Sequence, residues 1–234
     1  CYVLFTQQWK KLLFENTDPV EVDPFTEEFI ADELPAACAQ NRVGLIWLTH
    51  PLWNKYSEDC LTLNVYTPND PAGAPYPVMV WLYGGGYITG GSVQYPGHFL
   101  ASKDVVVVVI NYRIRSYGFM STGDDAARGN FGLKDQILAL QWVQKTIGDF
   151  GGDPTKVTLF GQSAGASSAS LLMMSPLAEG LFHQVIAESG SDQAIWGINE
   201  PAQNPEEYTQ QFAAALGCPT DDSFEMVDCL RTKT

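Results

Sequence analysis

A serine stands between two glycines in Gly161-Gln162-Ser163-Ala164-Gly165. The apolar run before it, Val157 to Phe160, reads as a strand, and the small-residue stretch after it, Ala164 to Met174, reads as a helix. Ser163 therefore falls on a strand-to-helix turn, which pushes the hydroxyl out of the end of a sheet. Neighbouring chain must pass close to such a turn, so its flanking positions are best left without side chains. The helix that follows aims free N–H groups and the positive end of its dipole at the same spot. These are the requirements of a nucleophile in acyl transfer. The bare pattern is short, and without its setting it would be a Gly-Ser-Gly turn and nothing more.

A second element has matching chemistry. Gly84-Gly85-Gly86 follows the apolar run Val78 to Tyr83. Three glycines let backbone amides point into a cavity with no Cβ in the way. A tetrahedral intermediate needs such donors for its oxyanion, and losing one costs ~2.7–4 kcal/mol of transition-state stabilisation. The competing reading is a flexible loop.

The elements that must position these groups alternate in type. Leu61 to Tyr66 is a short strand pattern, and Pro71 to Pro77 is a turn-rich break. Val105 to Tyr112, with its unbroken valines, suits a strand covered on both faces. Leu133, Ile137, Leu140, Val143 and Ile147 form one helical stripe. Gln184 to Glu188 reads as a further strand. Pro205 to Leu216 reads as a helix, with Asn204 as N-cap, Pro205 in the first turn and Gly217 past the end. Strands alternating with helices predict an α/β fold with a mainly parallel sheet. No internal repeat appears. Glu15 to Phe29 mixes acids, prolines and phenylalanines without a clean period.

The chain has 234 residues, with 13 Lys and Arg against 27 Asp and Glu, a formal charge of −14. That charge leaves no basic footprint for phosphates and disfavours nucleic acid as a partner. The longest aliphatic run, Val105 to Ile110, falls short of the ~18–20 residues of a membrane span. The chain opens Cys1-Tyr2-Val3 with no signal-peptide pattern, which reads as a processed or partial N-terminus. It contains no N-x-[ST] sequon. No His/Cys/Asp cluster has metal-ligand spacing, so no metal site is assigned. The five cysteines are Cys1, Cys38, Cys60, Cys218 and Cys229. Spacing offers two short loops, Cys38–Cys60 and Cys218–Cys229, each stabilising by roughly 3 kcal/mol if closed. Buried reduced thiols in a cytosolic protein are the alternative.

With both glycine elements in place, the sequence resembles the cholinesterase-like, type-B carboxylesterase family of α/β-hydrolases. Glu58-Asp59-Cys60-Leu61-Thr62-Leu63-Asn64 is similar to the family's EDCLxLN segment, and Val80 to Tyr87 to its oxyanion strand and loop. Gly129-Asn130-Phe131-Gly132-Leu133 resembles the opening of its long helix. Phe150-Gly151-Gly152-Asp153-Pro154 through Gly165 resembles its active-serine signature. The likeness runs from Cys38 to the C-terminus, and residues 1–37 are atypical. It implies an α/β-hydrolase fold with a central, mostly parallel sheet flanked by helices, incomplete at the C-terminal side. Residues 1–234 would be the N-terminal portion of a single such domain.

Carried over by position, the resemblance makes Ser163 the nucleophile and the backbone amides of Gly85, Gly86 and Ala164 the oxyanion donors. It supports both disulfides, Cys38–Cys60 and Cys218–Cys229, and leaves Cys1 over. Tyr87, Gln162, Ser189 and Trp196 become candidate substrate-pocket residues. Ser189 matches a buried serine near the catalytic machinery, and Trp196 an acyl-pocket aromatic. Trp53, or else Trp47, falls in the loop that carries a choline-binding Trp in cholinesterases. Plain packing is the competing role for these aromatics.

Two departures bear on function. Gln162 stands where cholinesterases carry Glu, which weakens a choline-ester reading. In α/β-hydrolases the triad runs Ser, then acid, then His. The only histidine after Ser163 is His183, in a segment that is not catalytic in the family, and His50 and His98 precede the serine. None of the three is assigned as general base. The acid and the His are expected beyond residue 234. A serine without its base is a poor nucleophile, and in a serine protease removing the His costs on the order of 10⁶ in turnover.

The resemblance thus implies a secreted serine carboxylic ester hydrolase that needs no cofactor. Its expected partners are a small-molecule ester and the remaining C-terminal part of the same domain, with oligomerisation left open. The segment alone is expected to be inactive and poorly soluble, since its sheet would expose an edge. The alternative is a non-catalytic cholinesterase-like adhesion or binding protein. Such relatives usually lose the serine that this chain keeps.

Overall fold

In the computed structural model, which describes residues 7–8, 17–21, 33–40, 55–199 and 203–233, the apolar runs pair into one mixed sheet. The strands, in chain order, are β1 (Gln7–Gln8), β2 (Ala37–Cys38), β3 (Tyr56–Ser57), β4 (Thr62–Tyr66), β5 (Tyr76–Leu82), β6 (Val106–Ile110), β7 (Gly152–Gln162) and β8 (Gln184–Glu188). The helices are α1 (His98–Ala101), α2 (Arg115–Phe119), α3 (Phe131–Thr146), α4 (Ala164–Met174), α5 (Pro205–Ala215) and α6 (Ser223–Arg231). The main sheet runs β1-β4-β6-β5-β7-β8, and β2 pairs with β3 apart from it. β6, β5, β7 and β8 are mutually parallel, while β4 and β1 add an antiparallel flank. The α/β expectation with a mostly parallel sheet therefore holds.

The continuous valines of β6 conceal a period of two. Val106, Val108 and Ile110 face one side of the sheet, where Val78, Val80, Leu82 and Leu159 meet α3 and α4. Val107 and Val109 face the other, with Trp81, Tyr83 and Phe160 beneath Ala101 of α1. Helices cover both faces, so both sets are apolar and no alternation survives in the sequence. Full burial of each such side chain is worth ~1.5–3 kcal/mol.

Several elements depart from the sequence reading, among them β5, which starts at Tyr76 inside the Pro71 to Pro77 break. β7 starts at Gly152, not Val157, because Tyr76 pairs with Gly152 before the ladder resumes at Val78 and Val157. The polar stretch Asp153-Pro154-Thr155-Lys156 hides that extension from a hydrophobicity pattern. α3 begins at Phe131, two residues before its apolar stripe. α6, which the sequence reading does not assign, buries Met226, Val227 and Leu230, and Asp222 caps it by accepting from the N–H groups of Phe224 and Glu225, both at 2.9 Å. Asn204 caps α5 as expected, accepting from Glu206 and Glu207. Both expected disulfides form, Cys38–Cys60 and Cys218–Cys229. The second closes the turn between α5 and α6, whose Ala213, Val227 and Leu230 pack on Phe131. Cys1 lies outside the described residues. Among those residues no helix is long and apolar enough to cross a membrane.

β8 is the outer strand among the described residues, and its side chains are exposed except for half-buried Val185, which packs on the core. At the other side of the parallel set lies a buried ion pair. Arg113, just past β6, donates from Nη2 to Asp135 Oδ1 at 2.7 Å and from Nε to Oδ2 at 2.8 Å. The backbone N–H of Arg113 also donates to Asp135 Oδ2, at 2.9 Å. Residue exposures of 4% and 2% make this a charge pair out of water, and it pins α3 to the end of β6. Breaking such a pair from one side leaves an unmatched buried charge, at a cost of ~3–5 kcal/mol. Asp135→Asn in the complete protein is therefore expected to lower the denaturant midpoint by that equivalent, with Arg113→Met/Asp135→Leu recovering only part of the loss, because the Arg113 backbone N–H is left without its acceptor.

Candidate active site

Ser163 is the single residue between β7 and α4, with φ 54° and ψ −119°. L-residues rarely adopt that backbone, which stores ~1–3 kcal/mol and persists only when its surroundings over-determine it. Here they do. Ser163 N–H donates to Glu188 O at the end of β8 (2.8 Å), and Ser163 O accepts from Ser167 N–H in the first turn of α4 (2.9 Å). Glycines let the remaining backbone close in. A Cβ on Gly165 would stand 1.9 Å from Leu82 O, and one on Gly161 would stand 2.5 Å from Gly165 O. The first turn of α4 thus lies directly on the end of β5.

Two further glycines touch the serine itself. A Cβ on Gly84 would lie 2.5 Å from Gln162 O and 3.0 Å from Ser163 Cβ. A Cβ on Gly190 would lie 2.4 Å from Ser163 O. Sequence reading took Gly84 only as part of a run and did not single out Gly190.

The glycine-rich loop turns back at once. Ile88 and Thr89 both donate N–H to Gly85 O, at 3.0 and 3.1 Å. Gly85 and Gly86 have φ of 122° and 63°, and Tyr87 follows at 59°. Among the described residues, the N–H groups of Gly85, Gly86 and Ala164 donate to no backbone carbonyl. Arg115 holds one flank, its N–H donating to Tyr87 O and its Nε to Ile88 O, each at 2.7 Å. Beneath the loop, Tyr83 Oη donates to Tyr112 O at 3.0 Å and Tyr112 Oη to Tyr83 O at 2.6 Å. The two rings stack with centroids 4.4 Å apart. Complete burial raises both phenol pKa values well above the ordinary tyrosine range, so both remain donors.

Ser163, with Ala164 next to it, therefore lies against Gly84, the residue before Gly85 and Gly86, at the C-terminal ends of β5 and β7, the site of ligands in open parallel sheets. Tyr87 and Trp196 line one cavity of about 500 Å³ with Phe119, Leu133 and Leu171. Tyr87 rests against Phe119, and its Oη accepts from Ser168 Oγ at 3.1 Å. Gln162 reaches the Gly84 backbone, where its Oε1 would lie 2.7 Å from an added Cβ. Ser189, at φ 56°, follows β8 directly and is exposed among the described residues. The segment after it is tied to α4 by Ser170 Oγ, which donates to Asp192 Oδ1 at 2.7 Å and holds that carboxyl below its usual range.

Neither described histidine reaches the serine. His183 exchanges bonds with Val157, its N–H donating to Val157 O (2.8 Å) and its Nδ1 accepting from Val157 N–H (3.1 Å). Val157 precedes Ser163 by six strand positions, roughly 20 Å. His98 opens α1 beside Gly97, which packs on Tyr66 and Val107 across the sheet. His50, Trp47 and Trp53 lie outside the described residues.

The model of the carboxylesterase family matches residues 11–234. The medium-chain fatty acyl-CoA hydrolase precursor of Anas platyrhynchos is 44% identical over 93% of this chain and 40% of its own length. Liver carboxylesterase 1 of Oryctolagus cuniculus is 46% identical over 86% of this chain and 36% of its own. Neuroligin-2 of Mus musculus is 40% identical over 87% of this chain and 28% of its own. The chain thus spans well under half the length of these curated relatives.

The close approaches predict a graded response to alanine. Gly165→Ala and Gly190→Ala should each destabilise by at least the ~1–3 kcal/mol of an overpacked core. Gly148→Ala, where a Cβ would meet nothing within 4 Å, should be neutral or slightly stabilising. Thermal melts of the three variants in the complete protein check the order.

Proposed function

The chain belongs to the carboxylesterase family and has its α/β-hydrolase fold, and on that premise we propose that it is a serine carboxylic ester hydrolase working through an acyl-enzyme on Ser163. The observation that carries this is the strained Ser163 set against Gly84, with the N–H groups of Gly85, Gly86 and Ala164 donating to no backbone carbonyl among the described residues. Ser163 Oγ attacks the ester carbonyl carbon, and its proton passes to a histidine base. The carbonyl π pair moves to oxygen, and the oxyanion accepts from the three amides. Collapse breaks the C–O bond to the alcohol, which leaves with the proton from the histidine. Water then adds to the acyl-serine by the same route and releases the carboxylic acid and free serine.

The histidine and its acid partner come from chain beyond these residues, so that 1–234 forms the N-terminal portion of one domain and is inactive alone. The ester is a small molecule. Gln162 puts a neutral amide beside the nucleophile, which favours an uncharged ester over a choline-like cation. The cavity between Tyr87, Phe119 and Trp196 suits an apolar group on the acyl or alcohol side. The paired cysteines support an oxidising, extracellular or lumenal setting. The second reading is a non-catalytic, cholinesterase-like adhesion or binding protein. The intact serine and glycines count against it.

A fluorophosphonate should label the complete protein on Ser163, located by peptide mapping, and should not label residues 1–234 alone. Ser163→Ala should abolish labelling and lower turnover of a simple aryl ester on the order of 10⁶-fold. A folded complete protein that takes no label would overturn the reading in favour of the binding protein.

A further inference from the structure

Gln40 lies outside every motif of the sequence, yet all four hydrogen-bonding positions of its amide are filled. Nε2 donates to Cys38 O at 3.0 Å and to Gly90 O at 2.7 Å. Oε1 accepts from Gly90 N–H at 3.0 Å and from Thr89 Oγ1 at 2.8 Å. A primary amide has two N–H donors and two acceptor lone pairs, so this side chain is saturated.

What it holds is the return of the glycine-rich loop. Thr89 and Gly85 are in direct backbone contact: Thr89 N–H donates to Gly85 O, and a Cβ on Gly85 would stand 2.1 Å from Thr89 O. Gly90, at φ 136°, lies so close that its own Cβ would meet the Tyr83 ring at 2.4 Å and Gly84 O at 2.8 Å. Residues 89 and 90 are thus the floor under Gly84 and Gly85, and displacing them displaces the amide donors. Arg115 secures the Tyr87–Ile88 flank of the loop, and Gln40 secures this one. Gln40 is itself anchored, two residues beyond a cysteine bonded to Cys60.

We infer that Gln40 is a positioning residue for ester hydrolysis: it fixes the Thr89–Gly90 return so that the Gly85 and Gly86 N–H groups stay aimed at the oxyanion formed at Ser163. The inference rests on the ester-hydrolase reading above. Amide donors of this kind act in the transition state and contribute little to ground-state binding. A loop released from Gln40 should therefore lose kcat and keep KM.

The test uses the complete protein with a simple aryl ester and an aryl trifluoromethyl ketone, which forms a hemiketal oxyanion on the serine. Gln40→Leu and Gln40→Glu should each lower kcat by about 10- to 100-fold, a fraction of the loss on deleting a donor outright. KM should stay within about twofold, and ketone affinity should fall in parallel with kcat/KM. In Gln40→Glu the introduced carboxyl faces Gly90 O and Cys38 O. Protonation restores a donor there, so its kcat relative to wild type should rise as pH falls, whereas Gln40→Leu stays flat. Thr67→Val removes a comparable bond, Thr67 Oγ1 to Phe150 O at 3.0 Å, at the opposite end of the sheet, and should lose stability without losing kcat. Unchanged kcat in the Gln40 variants, or a kcat loss that Thr67→Val shares, overturns the inference. Wild-type protein that neither hydrolyses the ester nor takes the fluorophosphonate overturns the underlying reading instead.

Discussion

The carbonyl of Leu82 and the α-carbon of Gly165 are closer than any side chain would allow, and the site is arranged around that contact. It sets the first turn of α4 on the end of β5 and forces the chain leaving β7 to turn within one residue. Ser163 is that residue. The same closeness brings the N-terminal end of α4 and the serine before it against Gly84, where the glycine-rich loop begins. A single methyl at position 165 would have to be accommodated by backbone, and backbone at the centre of a parallel sheet does not give.

A turn this tight is unfavourable taken alone. It is maintained by contacts that arrive from separate directions: β8 through Glu188 O, Gly190 against the serine carbonyl, and the helix through Ser167 N–H. The glycine-rich loop is treated alike, braced by Arg115 on one flank, by Gln40 on the other and by paired tyrosines from below. Each brace lies on a different element. The Arg113–Asp135 pair then fixes α3 against the sheet, and Gln136, next on that helix, donates to Ser168 Oγ behind Tyr87 at 3.2 Å. Local strain at the site is thus matched by rigidity distributed over the fold.

How much of this was legible in the sequence depended on the kind of interaction. The elbow and the glycine run were legible because backbone demands leave few choices: only glycine fits where a Cβ would meet a carbonyl. The strands of the core were legible as runs, although covering on both faces erased their period. β7 was read short because Pro154 and its polar neighbours look like a loop, yet Gly152 still finds Tyr76. Gln40 and Gly190 left no mark, since their roles exist only once residues far apart in the chain meet.

The tyrosines beneath the loop have a bearing on how such a sequence can drift. Each phenol caps the carbonyl of the other residue, so Tyr83 and Tyr112 are bound by reciprocal debts: a phenylalanine at either position strands a buried carbonyl at the other. Neither can be exchanged alone without loosening the strand that leads into Gly84. Change at these two positions must therefore be concerted, and in a lineage they should behave as one inherited character.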